Sequence, residues 1–337
     1  MSILNDLTPL LLPSGRRLDA DESDRQLNLI LEGLPLIQLR LVRGEALQLF
    51  LQEAGLQPDG RALWAACYWL FARDPVCQRL VWNLDVPPVE ALLSGLLIPG
   101  ATAGQYLCER TLFWQLPQPW LGASFSGVYP QQMALSAGKR HPLRAPKPRG
   151  EVYRRFDARL GAWVSLRTVE IDSDLTRFNR WQNNPRVLNF WQEGGDLQQH
   201  REYLSKLQDD PHTLTLIGCF DDDPFAYFEA YWAKEDRIAP FYDAGDYDRG
   251  IHMLVGEENH RGSHKVASWL SALVHYLFLD DPRTQRVVAE PRADNQRMIG
   301  HMQNQCFHCE KEFDFPHKRA ALMILGRERF FDRCSLV

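Results

Sequence analysis

The sequence predicts an α/β protein in two parts, with the more regular part in the C-terminal half. Three observations carry this. From about residue 151 onward, alternating apolar runs and helical runs follow the order β-α-α-β-β-β-α-β-α-β-β. At the centre of that order a short strand at 251–255 (IHMLV) leads through a loop into a long amphipathic helix at 265–279. Ahead of it all, the stretch 138–150 (GKRHPLRAPKPRG) holds three prolines and five Lys or Arg and little that could pack a core. Proline removes helix from the residue before it, so this stretch reads as an extended linker. The expected division is a smaller mixed α/β accessory domain over 1–140, a linker over 141–150 and the main domain over 151–337.

Composition excludes several function classes. The 337 residues are 45% hydrophobic and 24% charged, close to globular averages. A net charge of −5 and a pI near 6.1 give no electrostatic reason to expect nucleic acid or an anionic membrane as partner. No run approaches the roughly 20 apolar residues that cross a bilayer. Residues 1–13 contain an apolar run but no basic flank and no small-residue cleavage site, so a secretory signal is not expected. Seven cysteines, an odd number scattered over a long chain, make no disulfide framework. A reducing, cytoplasmic compartment is the expectation.

In the N-terminal part, 45–55 and 61–72 carry helical spacing, the second through Leu63, Trp64, Cys67, Leu70 and Phe71. A helix over 88–97 would tolerate proline in its first turn, and 36–41 reads as a short strand. Nothing there looks catalytic. Further on, 163–171 alternates as a half-buried strand, and 174–181 and 196–207 read as helices, each opened by an Asp suited to N-capping. Strands at 214–220 and 225–232 are joined by the acidic turn 221–224. On the helix at 265–279, Val266, Leu270, Leu273 and Leu277 share one face. A strand at 286–290, a helix at 295–302 and strands around 310–315 and 320–325 complete the order, and no internal repeat is visible.

Backbone N–H groups at a helix N-terminus are unpaired and suit a phosphate anion, and Arg261 and Gly262 lie where the loop would approach one. An ordinary strand-to-helix connection is the other reading. The loop 256–262 (GEENHRG) resembles the acyl-CoA pyrophosphate loop of the GNAT superfamily, with His264 and Val266 where that pattern has further glycines. Longer strings resemble the aerobactin-type hydroxylysine O-acetyltransferase family of hydroxamate siderophore synthesis. They are FWQLP (113–117), PRGEVYRRFD (148–157), LIGCFDD (216–222), DRGIHMLVGE (248–257), EPRADNQR (290–297) and EFDFPHKR (312–319).

The resemblance implies a GNAT fold in the C-terminal half, acetyl-CoA as co-substrate with succinyl-CoA as the alternative donor, and no metal. It implies Leu254, Val255, Arg261, Gly262, Ser263, His264 and Lys265 as the acyl-CoA contacts. His252 and Asp294 become the catalytic candidates, and Asn295, Arg297, Trp232 and Lys318 the substrate contacts. The chemistry suits His252: a hydroxylamine is largely neutral near neutrality, and imidazole can take the proton that the nitrogen sheds on attack. Amides near Leu254 would be natural oxyanion donors. Asp294 and Asn295 are equally suited to capping the helix they open.

Other candidates have plainer readings. Trp181, Trp191 and Trp232 can line an aliphatic channel or pack a core. His260 and His264 straddle a loop without a third metal ligand, and the Cys306–Cys309 pair lacks the second pair a structural zinc would need. Those cysteines read as packed strand residues. In the cluster His317-Lys318-Arg319, one cation could receive a substrate carboxylate or a CoA phosphate. The implied partners are a hydroxylated amine or amino acid and a siderophore synthetase. The alternatives are a hydroxydiamine or hydroxyornithine as acceptor, a catalytically silent GNAT-like binding subunit, or an antibiotic or protein acetyltransferase.

Overall fold

In the computed structural model, which describes residues 10–52, 58–121, 128–316, 318–333 and 336, the chain divides between Pro119 and Trp120. Unit 1 comprises β1 (Leu10–Leu11), β2 (Arg17–Glu22), β3 (Gln26–Leu31), β4 (Leu34–Val42), β5 (Leu47–Leu51), α1 (Gly60–Arg73), β6 (Arg79–Asn83), α2 (Val89–Leu93), β7 (Ile98–Pro99), β8 (Gln105–Glu109) and α3 (Arg110–Phe113). Its sheet order is β1-β2-β3-β4-β5-β6-β8-β7. The helix expected over 45–55 is instead strand β5. Its LQLFL core is too short for period to decide, and pairing with β4 on one side and β6 on the other does.

Unit 2 opens with a hairpin, β9 (Met133–Ser136) and β10 (Lys139–Pro142). Then come β11 (Glu151–Asp157), β12 (Ala162–Thr168), α4 (Ile171–Gln182), α5 (Pro185–Trp191), α6 (Leu197–Asp209), β13 (Thr213–Phe220), β14 (Asp223–Trp232) and β15 (Arg249–Val255). The last elements are α7 (Ser263–Asp280), β16 (Arg286–Ala289), α8 (Gln296–Asn304), β17 (His308–Phe315), β18 (Lys318–Gly326) and α9 (Arg327–Arg333). The sheet order is β11-β12-β13-β14-β15-β16-β18-β17.

Local chemistry explains most boundaries. Asp196 caps α6 in a reciprocal box with Gln199. Asn184 caps α5 with Pro185 in its first turn, a local helix-start signal that opens a helix beyond those expected. Asp221 and Asp222 both have positive φ (48° and 67°), so the β13–β14 hairpin turns on two aspartates that tolerate that conformation. Asp174 does not cap. The helix starts at Ile171, and the buried Asp174 carboxylate binds Arg167 (2.7 and 2.8 Å), Arg177 (3.1 Å) and the Glu170 amide (3.0 Å).

The stretch 138–150, expected to be a linker, is part of unit 2. Lys139 Nζ donates to the Glu235 and Asp236 carbonyls (2.7 and 2.6 Å), and Arg144 makes two 2.6 Å bonds to the Glu235 carboxylate. Lys147 Nζ donates to the carbonyls of Leu207, Asp210 and Thr213 around the end of α6. Its basic residues read as solvated because their partners lie some 60 to 97 residues away.

β13 is buried at every position, as a strand covered on both faces must be. On one face Phe178 and Trp181 of α4 and Leu204 of α6 pack on Ile217, Cys219, Tyr227 and Leu254. On the other, Trp269 of α7 stacks on Phe228 at 5.3 Å. Cys309, expected to be packed, is exposed on the edge strand β17, and Cys306 precedes it with φ 70°.

Candidate active site

β15 is the strand that organises the site. Gly256 N donates to Phe225 O and Ala233 N to Asp248 O, both at 2.9 Å, and antiparallel pairs alternate. Gly250, His252 and Leu254 therefore turn their backbone groups to β14, whereas Ile251, Met253 and Val255 turn theirs to the opposite side. On that side β16 pairs with β15 only at Arg249↔Val287 and Gly250↔Val288. Beyond Gly250 the two strands part, and the backbone of Met253 and Val255 faces a wedge. Arg186 enters there, its guanidinium 2.8 Å from Val255 O.

Past the wedge, Gly262 takes φ +133°, which suits glycine, and no side chain caps α7. The first i→i−4 bond is Val266 N to Gly262 O (2.9 Å), so the amides of Ser263, His264 and Lys265 precede the helical ladder. The loop before them is held down. His260 Nε2 lies 2.9 Å from Asp223 Oδ2, its Nδ1 3.1 Å from Lys265 Nζ, and Lys265 also donates to Asn259 O. Trp181 lies against Gly256, where a Cβ would come within 2.1 Å of its ring. Positive charge gathers nearby: burial lowers the Arg186 pKa, and Arg261 and Arg297 lower it further against the opposing Glu258.

His252 sits at the apex of the wedge between two carboxylates. Its Nδ1 is 2.8 Å from Glu229 Oε2 and its Nε2 is 2.6 Å from Glu290 Oε1. Glu229 lies opposite His252 in the β14–β15 register, and Glu290 follows directly on β16. Tyr203 and Tyr227 donate to Glu229 (2.5 and 2.9 Å), and Tyr231 donates to Glu290 (2.6 Å). Burial works against a charged imidazole, but the two carboxylates outweigh it and push its pKa up to about 10. Glu290 falls to about 2: burial opposes its charge, and His252 more than offsets that. His252 is thus an imidazolium at neutral pH.

A family model described as an acetyltransferase (GNAT) domain matches residues 170–315. The N(6)-hydroxylysine O-acetyltransferase of Escherichia coli is 45% identical over 232 residues, covering 68% of this chain and 73% of that protein. The N(5)-hydroxyornithine:cis-anhydromevalonyl coenzyme A-N(5)-transacylase of Beauveria bassiana is 49% identical over 273 residues, covering 80% of this chain and 57% of that protein. The chain belongs to this family of GNAT acyltransferases. The fold also matches the crystal structure of an uncharacterized Bacillus halodurans protein, 28% identical, with a TM-score of 0.53, covering 55% of this chain and 95% of that one.

Among these acyltransferase candidates the structure brings some together and separates others. Val255 faces the wedge, but Leu254 donates its amide toward β14 and buries its side chain beside Tyr227 and Trp181. The backbone amides that face the wedge are those of its neighbours, Met253 and Val255. Asp294 is 63% exposed and pairs with Arg292 (Nε 3.0 Å), not with His252. Asn295 caps α8 by accepting from Met298 N (3.2 Å), and Arg297 is exposed in the first turn. Lys318 Nζ is 2.7 Å from Glu290 O, and Arg237 is 3.9 Å from Glu290 Oε1. His317 lies outside the described residues.

Trp232 is on the far face of the sheet. Strand alternation sets it opposite Glu229 and Tyr231, and its ring lies between the Arg144 and Arg249 guanidiniums at 4.2 and 4.1 Å. Trp191 lies on the His252 side, ring centroids 6.2 Å apart. Sequence reasoning missed Glu229 and Glu290. The available signal was a lone acid inside the aromatic strand FAYFEAYW, and another ending the apolar run RVVA. Among the described residues no group of three or more His, Cys, Asp or Glu could hold a metal ion, and no helix is long and apolar enough to cross a membrane.

Proposed function

We propose that the chain transfers the acetyl group of acetyl-CoA to the hydroxylated side-chain nitrogen of hydroxylysine, forming a hydroxamate for siderophore assembly. The observation that carries this reading is the wedge between β15 and β16 with the Glu229–His252–Glu290 set at its apex. It is supported by the 45% identity to the hydroxylysine O-acetyltransferase of Escherichia coli.

In this reading the pantetheine arm lies along the free edge of Met253 and Val255. The pyrophosphate takes the amides of Ser263, His264 and Lys265, where the helix dipole favours an anion, with Arg261, Arg186 and Arg297 at hand. Of the Met253 and Val255 amides, that of Met253 lies next to His252, at the thioester end of the arm, and stabilises the developing oxyanion.

The hydroxylamine nitrogen attacks the thioester directly within a ternary complex. A C–N bond forms, the C–S bond breaks, and the thiolate leaves. A charged His252 does not act as the free base. The His252 imidazolium, held by Glu229 and Glu290, supplies a proton to the leaving sulfur, and the ring takes back the proton that the nitrogen sheds. Positioning carries most of the rate, since the nucleophile needs little activation. Arg237 and Lys318, both close to Glu290, suit an acceptor with an α-carboxylate and so favour an amino acid over a diamine.

A second reading, hydroxyornithine as acceptor with another acyl-CoA as donor, is favoured by the 49% identity to the Beauveria bassiana transacylase. A hydroxamate product is a bidentate oxygen ligand for Fe(III), and a synthetase that condenses it is the natural partner. A cytoplasmic site of action fits six described cysteines present as free thiols. The deciding experiment offers the purified protein hydroxylysine, hydroxyornithine and hydroxycadaverine with acetyl- and succinyl-CoA, and identifies products by mass. Acetylated hydroxylysine is expected as the main product. Turnover of none of the acceptors would overturn the reading.

A further inference from the structure

Strand for strand, the two units share one connectivity. In each, five strands pair antiparallel in sequence order, and a helix (α1 or α7) crosses over to a sixth strand parallel to the fifth. A second helix (α2 or α8) follows, and the last strand inserts between the sixth and seventh, giving β6-β8-β7 and β16-β18-β17. A short helix (α3 or α9) closes both. The main difference lies between the second and third strands, where unit 2 inserts α4, α5 and α6 and unit 1 has only residues 23–25. One sheet face in unit 1 accordingly carries polar residues: β4 buries Ile37, Leu39 and Leu41 and exposes Gln38 and Arg40.

We infer that unit 1 is a second copy of the acyltransferase fold whose acyl-CoA site is closed, so that the chain takes up a single acyl-CoA, in unit 2. The inference rests on the proposed acyl-CoA reading of unit 2. Both features that form the site there are sealed in unit 1. The parallel strands do not part: β5 pairs with β6 from Leu47↔Leu80 to Phe50↔Asn83, and Asn83 Nδ2 donates to Leu49 O across them (3.4 Å). The crossover helix is already occupied at its N-terminus. Asp59 accepts from Ala62 N (2.8 Å) and Glu90 from Gly60 N (3.1 Å), placing two carboxylates where α7 offers bare amides. Those charges repel a phosphate as the open α7 terminus attracts one. β5 (LQLFL) and β6 (RLVWN) also hold no His, Asp or Glu.

Calorimetric titration of the full chain with acetyl-CoA tests this. One equivalent per chain is expected, and two equivalents would overturn the inference. Ser263→Asp gives α7 a first-turn carboxylate like those at α1, and this variant is expected to lose binding. An equivalent retained by folded S263D would place a site in unit 1 and sink the idea. Hydrogen exchange on the unaltered chain needs no variant: acetyl-CoA should protect 251–266 and leave 47–62 unchanged, and protection at 47–62 would overturn the closed-site reading. If the chain binds no acetyl-CoA at all, the acyl-CoA reading itself fails and the inference with it, an outcome distinct from two sites.

Discussion

Glu290 Oε1 lies 2.6 Å from His252 Nε2, at the point where β15 and β16 separate. With Glu229 at 2.8 Å on the other ring nitrogen, the imidazole is fully engaged before any substrate arrives. The site therefore differs from a free histidine base.

Glu290, rather than Asp294, is expected to carry the reaction. Glu290→Gln keeps shape but removes the charge that holds the His252 ring protonated and in place, and should lower kcat by about 100- to 1,000-fold. Asp294→Asn, altering an exposed group paired with Arg292, should stay within about threefold because it lies outside the proton path. Steady-state thiol release under saturating acetyl-CoA measures both. Equal losses would return Asp294 to the catalytic set.

Stability should follow pH in a defined way. His252 has a raised pKa, so its contribution is complete below its ordinary value of 6.5 and disappears as pH rises through about 10. Glu290 has a lowered pKa, so its contribution is present above 4.5 and disappears as pH falls through about 2. The Tm gap between the parent and His252→Gln should therefore be widest between pH 4.5 and 6.5 and close toward pH 10. Thermal melts across that range supply the check, and a gap that widens above neutrality would contradict the imidazolium assignment.

Gly250 is a contact requirement. A Cβ there would come within 1.9 Å of the Tyr231 ring, whose hydroxyl holds Glu290. Gly250→Ala should cost about 1–3 kcal/mol of stability through overpacking. It should also lower kcat by displacing that hydroxyl, an effect Tyr231→Phe should share with a smaller loss of Tm. Denaturant melts paired with kinetics separate the two effects.

Arg261 and Arg297 should act on the acyl-CoA phosphates. Arg261→Ala or Arg297→Ala should raise the KM for acetyl-CoA by about tenfold, near the value of one charge-assisted bond, and leave kcat within about threefold. The KM of the parent should rise with ionic strength more steeply than that of either variant. A fall in kcat at constant KM would remove these residues from the phosphate site.

Much of unit 2 was legible because its signals are local. Asp196 three residues before Gln199, and a strand, loop and apolar-striped helix in succession, need no distant partner to be recognised. Unit 1 was less so: the LQLFL run satisfies helical and strand readings alike, and its neighbours β4 and β6 decided for strand. The basic stretch at 138–150 differs from its expected linker role for a related reason, since Glu235 and the end of α6 hold residues that look solvated in sequence.

By itself the sequence determined the strand, loop and helix terminus at 262–265, because spacing and periodicity are properties of neighbouring residues, and strings such as DRGIHMLVGE carried the resemblance that singled out His252. The tertiary structure alone decided which acids meet His252. They come from 23 and 38 residues away, brought in by strand register and by the end of a parallel strand. It alone revealed the shared connectivity of the two units as well. Strand order depends on where apolar faces are buried, a condition that sequences without visible repetition can satisfy equally.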